Sequence, residues 1–487
     1  MTSTSFIKKI FIPLLLILSV VIIYYAIKPT NAIINLTENE KNEYAKNDSL
    51  KLLSLNFLIE NSVDKYSIGI FNLKKSDFKN INKKYLFQNI ELSILNSKER
   101  LNQGVFSTQQ FLNYILPYRI RNENTENWRN LAYNKYKSFY NEDILEHSKN
   151  INDELKKIFN YTGRSKANRK LSDLLVDCYG GCFEMSELAA FTMRANGIPV
   201  AIDFTKWSNI RGRHQWNSLI TKNINIPFMG IESDPVFNFN LDVVTADFKK
   251  FAKVYRKSFL KYEKSNTEYN PKKLISDINY IDVTKEYCAN CNDIIIELPN
   301  ENINDDLFYL CVYEVNKWIP VDFAYVKNNT IKFNDVCPNN VFVLKKRVNK
   351  KLEYFKTPFT FNNLGEVSFT KPSNIIFEDI ELKYYNSNHR ELIKQYAIEM
   401  KQSEFAIMKD LILKNNVTGV VKNNIAYNLY LWENKWINIG KETALNGSII
   451  FKNISKNALF KLEGTLDSKS VNNRCFTIDN DNNQIWW

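Results

Sequence analysis

Residues 177–200 read DCYGGCFEMSELAAFTMRANGIPV, and the fold of the chain turns on what this stretch forms. Met185, Leu188, Ala189 and Thr192 recur at helical spacing, and Gly197 and Pro199 stand where a helix should stop. The pattern predicts a helix beginning at or near Cys182, entered through the tight turn that Gly180 and Gly181 allow. A cysteine in the first turn of a helix meets unpaired N–H groups and the positive end of the helix dipole, which favour its thiolate. Cys178, one turn earlier in the loop, lacks that help.

A thiolate nucleophile needs a general base and a group to orient that base. The chain has three histidines, His147, His214 and His389. His214 lies in GRHQWNSLI, an alternating run that reads as a strand, with a second strand, PVAIDFT, between it and Cys182. GIESDPVF reads as the strand that follows and carries Asp234. Adjacent antiparallel strands would set His214 and Asp234 side by side, facing the helix start; Glu232 has the same strand parity and is the reserve acid. Alone, a buried cysteine is usually only a small hydrophobe, so the signal is the three residues in this order.

The runs C-F-E-M…L…A…R-A-N-G-I-P-V, then H-Q-W-N, then D-P, resemble the transglutaminase-like superfamily. The resemblance implies an α+β fold with a papain-type core: Cys at the start of a helix, His on a strand and Asp on the next. It assigns Cys182 as nucleophile, His214 as base and Asp234 as orienting acid, with no metal and no organic cofactor. LKLLSLNFLIENSVDKYS, YILPYRIRNENTENWR and the closing RCFTIDNDNNQIWW are similar to segments of bacterial secreted or anchored members. Cys178 is a departure from the pattern, since it could pair with Cys182 and silence it.

The 487 residues are enough for several domains, and Lys8 and Lys9 precede an apolar run from Ile10 to Ile27. Eighteen such residues just cross a hydrocarbon core, and Tyr24 and Tyr25 suit the far interface. The expectation is an uncleaved signal anchor over 1–30 with the bulk of the chain outside the cytoplasm, or secreted if the segment is cleaved. The net charge of +12 is scattered through Lys/Asn-rich stretches and reads as a solvated surface; no nucleic-acid module is present in the sequence. Seven cysteines outside the cytoplasm could oxidise, and Cys288 and Cys291 form C-x-x-C, read here as structural or incidental.

Residues 31–150 read as a helical region and 151–285 as the transglutaminase-like core. Within the first, Asp48 or Ser49 caps a helix carrying Leu50, Leu53, Phe57 and Leu58. FKKFAKVYRKSFLKYEK reads as a basic amphipathic helix with Phe251, Val254, Tyr255, Phe259 and Tyr262 on one side. From about Asp293 the period changes to strands, and YEVNKWIPV near Trp318 returns as LWENKWINI near Trp436, an offset of 436 − 318 = 118. TIKFNDVCPNNVFVL returns as SIIFKNISKNALFKL at the same offset, 451 − 333 = 118 for the paired phenylalanines. The spacing predicts two tandem all-β, sandwich-like domains over 286–378 and 379–487, with Trp318 and Trp436 in equivalent core positions.

These residues point to a thiol-dependent acyl-transfer enzyme, a hydrolase of peptide or amide bonds before a cross-linker, acting on a peptide, protein or amide-containing substrate of the cell envelope. Two other classes stay open. One is a non-enzymatic envelope protein that binds a polymer or protein partner through the same core and β-domains; the other is a dithiol redox protein using Cys178/Cys182 or Cys288/Cys291.

Overall fold

The computed structural model describes residues 32–69, 73–163, 165–166, 168–208, 212–236, 250–262, 270–298, 306–314, 317–372, 377–384, 421–465 and 474–487. The expected anchor lies outside these residues, and among them no helix is long and apolar enough to cross a membrane.

The architecture is α+β, with helices first and antiparallel sheets after them. Helices α1 (Ser49–Asn61), α2 (Lys83–Asn102) and α3 (Thr108–Tyr114) share a core that includes Leu55, Leu58, Leu86, Ile90, Phe111 and Ile115. Asp48 caps α1 as the sequence predicts, its carboxylate accepting the Lys51 N–H at 3.0 Å. The buried stripe is rotated from the expected one: Ser54, Leu55, Leu58 and Asn61 face inward, while Leu53 is 45% exposed. α1 packs on both α2 and the preceding helix Glu38–Ala45, and hydrophobic spacing alone did not specify which side they cover.

Then follow α4 (Trp128–Tyr136), α5 (Ile144–Ile158), α6 (Leu171–Asp177) and α7 (Cys182–Ala195). Every residue of α7 from Glu184 to Ala195 is buried, which explains its alanines: neighbours approach it on all sides. Gly197 closes it at φ +72°, where a Cβ would stand 1.9 Å from the Asn96 carbonyl oxygen. Beneath α7 lies a five-stranded antiparallel sheet of β1 (Val200–Lys206), β2 (Arg213–Ile220), β3 (Asn225–Phe228), β4 (Tyr255–Lys257) and β5 (Tyr280–Asp282), in the order β3-β2-β1-β4-β5.

The stretch expected to be a basic amphipathic helix is instead β4 and its approach. Tyr255 pairs with Phe204 and Arg256 with Asp203, so backbone pairing to β1 overrides the helical spacing. Two of its basic residues are paired inside the fold. Arg256 grips the buried Asp203 carboxylate through two 2.8 Å bonds and reaches Glu286, and Lys253 bonds Asp282 and, at 2.7 Å, the Asn334 carbonyl.

The carboxyl-terminal half holds two units with one strand order. The first pairs β6 (Asn292–Glu297) with β9 (Thr330–Val336), beside a sheet ordered β8-β7-β10-β11-β12: Lys317–Tyr325, Leu307–Glu314, Asn340–Val348, Phe359–Phe361 and Val367–Phe369. The second pairs β13 (Glu378–Leu382) with β16 (Ile449–Ile454), beside β15-β14-β17-β18-β19: Trp436–Thr443, Ala426–Trp432, Phe460–Gly464, Cys475–Ile478 and Gln484–Trp486. Each unit buries one core between its two sheets, as a sandwich does. The β6–β9 pairs Asn292↔Val336 and Ile294↔Phe333 return as Glu378↔Ile454 and Ile380↔Phe451, irregularity included. The first hairpin pairs Tyr313 with Trp318, the second Trp432 with Trp436, a register one residue apart.

Both tryptophans leave their own sandwich cores. With Tyr309, Cys311, Tyr313, Trp432 and Cys475 they fill the joint between the two units. Trp318 meets Trp432 edge-on at 5.6 Å, and Trp436 meets Tyr313 at 5.7 Å. β7 is therefore buried on both faces, which is why LFYLCVYE is nearly continuous in apolar residues. Trp318 is 4% exposed and Trp436 is half-buried. Trp318→Ala is expected to cost about 3–5 kcal/mol in denaturant unfolding, and Trp436→Ala less than half as much; equal losses would mean that the positions are equivalent in burial after all.

Candidate functional site

The start of α7 is held by its own third residue. The Glu184 carboxylate, 1% exposed, accepts the N–H of Gly181 at 2.9 Å, the hydroxyl of Ser165 at 2.7 Å and the N–H of Lys166 at 2.6 Å. It thereby ties the preceding loop to the helix and places negative charge at the dipole's positive end. Gly180 is required here because a Cβ would stand 2.6 Å from that of Glu184.

Cys182 is the first residue of α7, and its sulfur faces the backbone N–H of Gln215 as well as its own. Gln215 follows His214 in β2, so the thiol sits against the peptide unit that joins His214 to Gln215. The Gln215 side chain reinforces the contact, reaching the Ser186 hydroxyl at 2.6 Å. Asn217, on the same side of β2, donates to the Ser186 carbonyl at 3.0 Å.

Alternation sends His214 and Trp216 to the other side of the strand. The imidazole is stacked between Trp207 and Trp216, each ring 5.5 Å away, with Nε2 3.4 Å from the Met229 sulfur. Trp216 is fixed in turn, its indole N–H donating to the Tyr287 hydroxyl at 3.1 Å, which bonds Asp203. The tryptophans and Tyr287 escaped the sequence reading. The signal for one of them was present, since H-Q-W places Trp216 two residues along a strand from His214 and hence on its face.

Asp234 is placed otherwise than expected. The strand ends at Phe228, and Met229–Ser233 form a turn in which Glu232 and Ser233 both donate to the Met229 carbonyl. Ile231 has φ +72°, an uncommon strain for a β-branched residue, and its N–H is held by Asn152 Oδ1 at 2.8 Å. The Asp234 carboxylate accepts from Lys156 at 2.6 Å and from Asn152 at 2.8 Å, tying the turn to α5. The reserve acid, Glu232, is exposed and contributes directly to the field at the Cys182 sulfur.

Burial pushes the Cys182 thiol up to about 11, the Gln215 N–H pulls it back down, and the Glu232 and Glu184 carboxylates push it up again. The helix-start argument, which favoured a thiolate, is thus outweighed by desolvation in this arrangement. Iodoacetamide labelling of Cys182 is expected to climb with pH between about 7 and 10, not to stay flat. Glu232→Gln, by removing one of the carboxylates that hold the thiol protonated, should move that profile to lower pH. A flat, fast profile from mildly acidic pH would instead mean a thiolate–imidazolium pair.

Cys178 is occupied differently. It ends α6 in the left-handed region at φ 51°, and its thiol donates to the Leu175 carbonyl at 3.1 Å. Both Cys178 and Cys182 are free thiols. His147 is buried beside Arg100, 2.9 Å from its Nδ1; burial, then that guanidinium, hold it down at about 3, which suits a packing role. His389 lies outside the described residues.

No protein-family profile and no curated protein matches the chain. Among solved structures it is similar to a Cytophaga hutchinsonii protein provisionally assigned as a cysteine protease: 16% identity, 29% of this chain, 54% of the other, TM-score 0.20. The chain thus spans about half the length of that protein. It is also similar to Legionella pneumophila LapG (16% identity, 38% of this chain, 91% of the other, TM-score 0.21). A third is red sea bream transglutaminase (7% identity, 85% and 77% coverage, TM-score 0.19).

Proposed function

We propose that the protein is a thiol-dependent acyl-transfer enzyme of transglutaminase-like type, hydrolysing a peptide or amide bond with Cys182 as nucleophile and His214 as base. The observation that carries this reading is the seat of the Cys182 sulfur: first turn of a buried helix, against the peptide unit of the strand that carries His214. In the reaction the imidazole takes the thiol proton as sulfur attacks the carbonyl carbon. The oxyanion forms near the N–H of Cys182, and the proton passes from His214 to the departing amine. Water then cleaves the thioester by the same route.

Asp234, the acid that the resemblance assigns, acts in this reading through the turn it anchors. The two tryptophans hold the imidazole plane. Asp234→Asn should therefore lower turnover by about tenfold while leaving Cys182 reactive. The reading also places the chain outside the cytoplasm, held by residues 10–27, with a peptide, protein or amide-containing molecule of the cell envelope as substrate.

The raised thiol of Cys182 favours a second reading, a binding protein of the envelope built on the same core. Incubating the full chain with peptide and carboxamide libraries, with and without a primary amine, separates the two. Release of amine or ammonia that depends on Cys182 supports the enzyme, and incorporation of the added amine would shift it from hydrolysis to cross-linking. Binding without turnover supports the second reading.

A further inference from the structure

Away from this site three more thiols lie in one neighbourhood. A short helix, α8 (Thr284–Tyr287), ends at Cys288, whose N–H is bonded to the Thr284 carbonyl at 2.9 Å. The chain then turns, the Cys291 N–H lying 3.4 Å from the Cys288 carbonyl, and enters β6 at Asn292. Asn292 pairs with Val336 at the end of β9. The next residues outward on the two chains are Cys291 and Cys337. Cys337 is 4% exposed, pinned by its N–H to the Ala252 carbonyl at 2.9 Å, and its side chain is hydrogen-bonded to that of Cys288.

Cys288 and Cys291 are half-buried and reach solvent, while Cys337 is the inner thiol of the three. Among the described residues no group of three His, Cys, Asp or Glu side chains is arranged to hold a metal ion. A thiol hydrogen-bonded to another thiol has the partner sulfur beside it, which is the first thing a disulfide needs. The repeat sharpens the point: Cys337 corresponds to Ser455 of the second unit, at the offset of 118 (337 + 118 = 455), so the cysteine is not demanded by the sandwich itself.

We infer that Cys288 and Cys337 form a cross-link site, closed by exchange with an external aliphatic disulfide, that ties the end of the core to the first β-sandwich. The Cys288 thiolate attacks one sulfur of the external disulfide and expels one thiolate. Cys337, giving its proton to solvent, then attacks the Cys288 sulfur and expels the second. One S–S bond is made, one is broken, and the two electrons leave on the two released thiols. Cys291, three residues on from Cys288, stays as the third thiol.

The test uses the full chain incubated with oxidised glutathione, then denatured and alkylated without reductant and mapped by mass spectrometry. The expected product is a peptide pair linked through Cys288 and Cys337 with Cys291 alkylated. The bond closes a long loop, so the oxidised protein should unfold about 5 °C or more above the reduced one. Cys337→Ser should abolish the link; because that position is buried, Cys288→Ser at the half-buried end serves as the second variant, with the same result. Neither should change labelling of Cys182. A Cys288–Cys291 or Cys291–Cys337 bond, or three alkylated thiols, overturns the assignment.

Discussion

Cys182→Ala is expected to lower hydrolysis of any substrate by about 10⁴-fold or more, with thiol-probe labelling of the folded protein lost at that position. The expectation rests on the seat of the sulfur, at the opening turn of α7 and against the peptide that follows His214. Ala fits the first turn of a helix, and the cap made by Glu184 and Gly181 does not involve the thiol. Folding should therefore persist, and circular dichroism and the denaturation midpoint should stay near those of the parent. Cys178→Ala is the control. Its thiol donates to Leu175 at the end of α6, so activity and Cys182 labelling should both survive. If Cys178→Ala instead abolished labelling while Cys182→Ala kept it, the helix-start assignment would be wrong.

The second large effect is at His214. His214→Ala should cost about 10³-fold in turnover, in the range expected for losing a general base. The variant also leaves a slot between Trp207 and Trp216, whose rings lie on either side of the imidazole. Added imidazole should enter that slot and restore part of the activity, whereas a merely structural histidine would show no such rescue. Trp216→Ala provides the positioning control: turnover should fall while the pH dependence of Cys182 labelling stays close to that of the parent. A His214→Ala protein of unchanged turnover would remove the base from the proposed mechanism.

Much of the frame was legible before any coordinates. The helix over CFEMSELAAFTMRA could be read because its apolar period, the glycines before it and its closing Gly197 agree with one another, and all three are local. Strand β2 could be read from alternation, and β1 as a short β-rich run before it, buried at every position. The tandem β-units could be read because a constant offset of 118 preserves hairpin turns and core phenylalanines together, and both sheet orders follow it. Asp48 as a cap could be read from its position before an apolar run.

Local residue patterns thus mark where chain direction and period change, and that Cys182 opens a helix while His214 rides a strand. Tertiary structure alone decided the rest. It turned FAKVYRK from an expected helix into a sheet strand, because pairing with Phe204 and burial of Arg256 on Asp203 outweigh local spacing. It moved Trp318 and Trp436 out of their sandwiches into the joint, a contact between residues more than a hundred positions apart. It gave Asp234 to Lys156 and Asn152 and brought Glu232 into the field of the thiol, because a turn with Ile231 at φ +72° replaced the expected strand. It also raised the thiol of Cys182 instead of lowering it. Desolvation depends on what the rest of the chain packs around the sulfur, and no local pattern of residues carries that quantity.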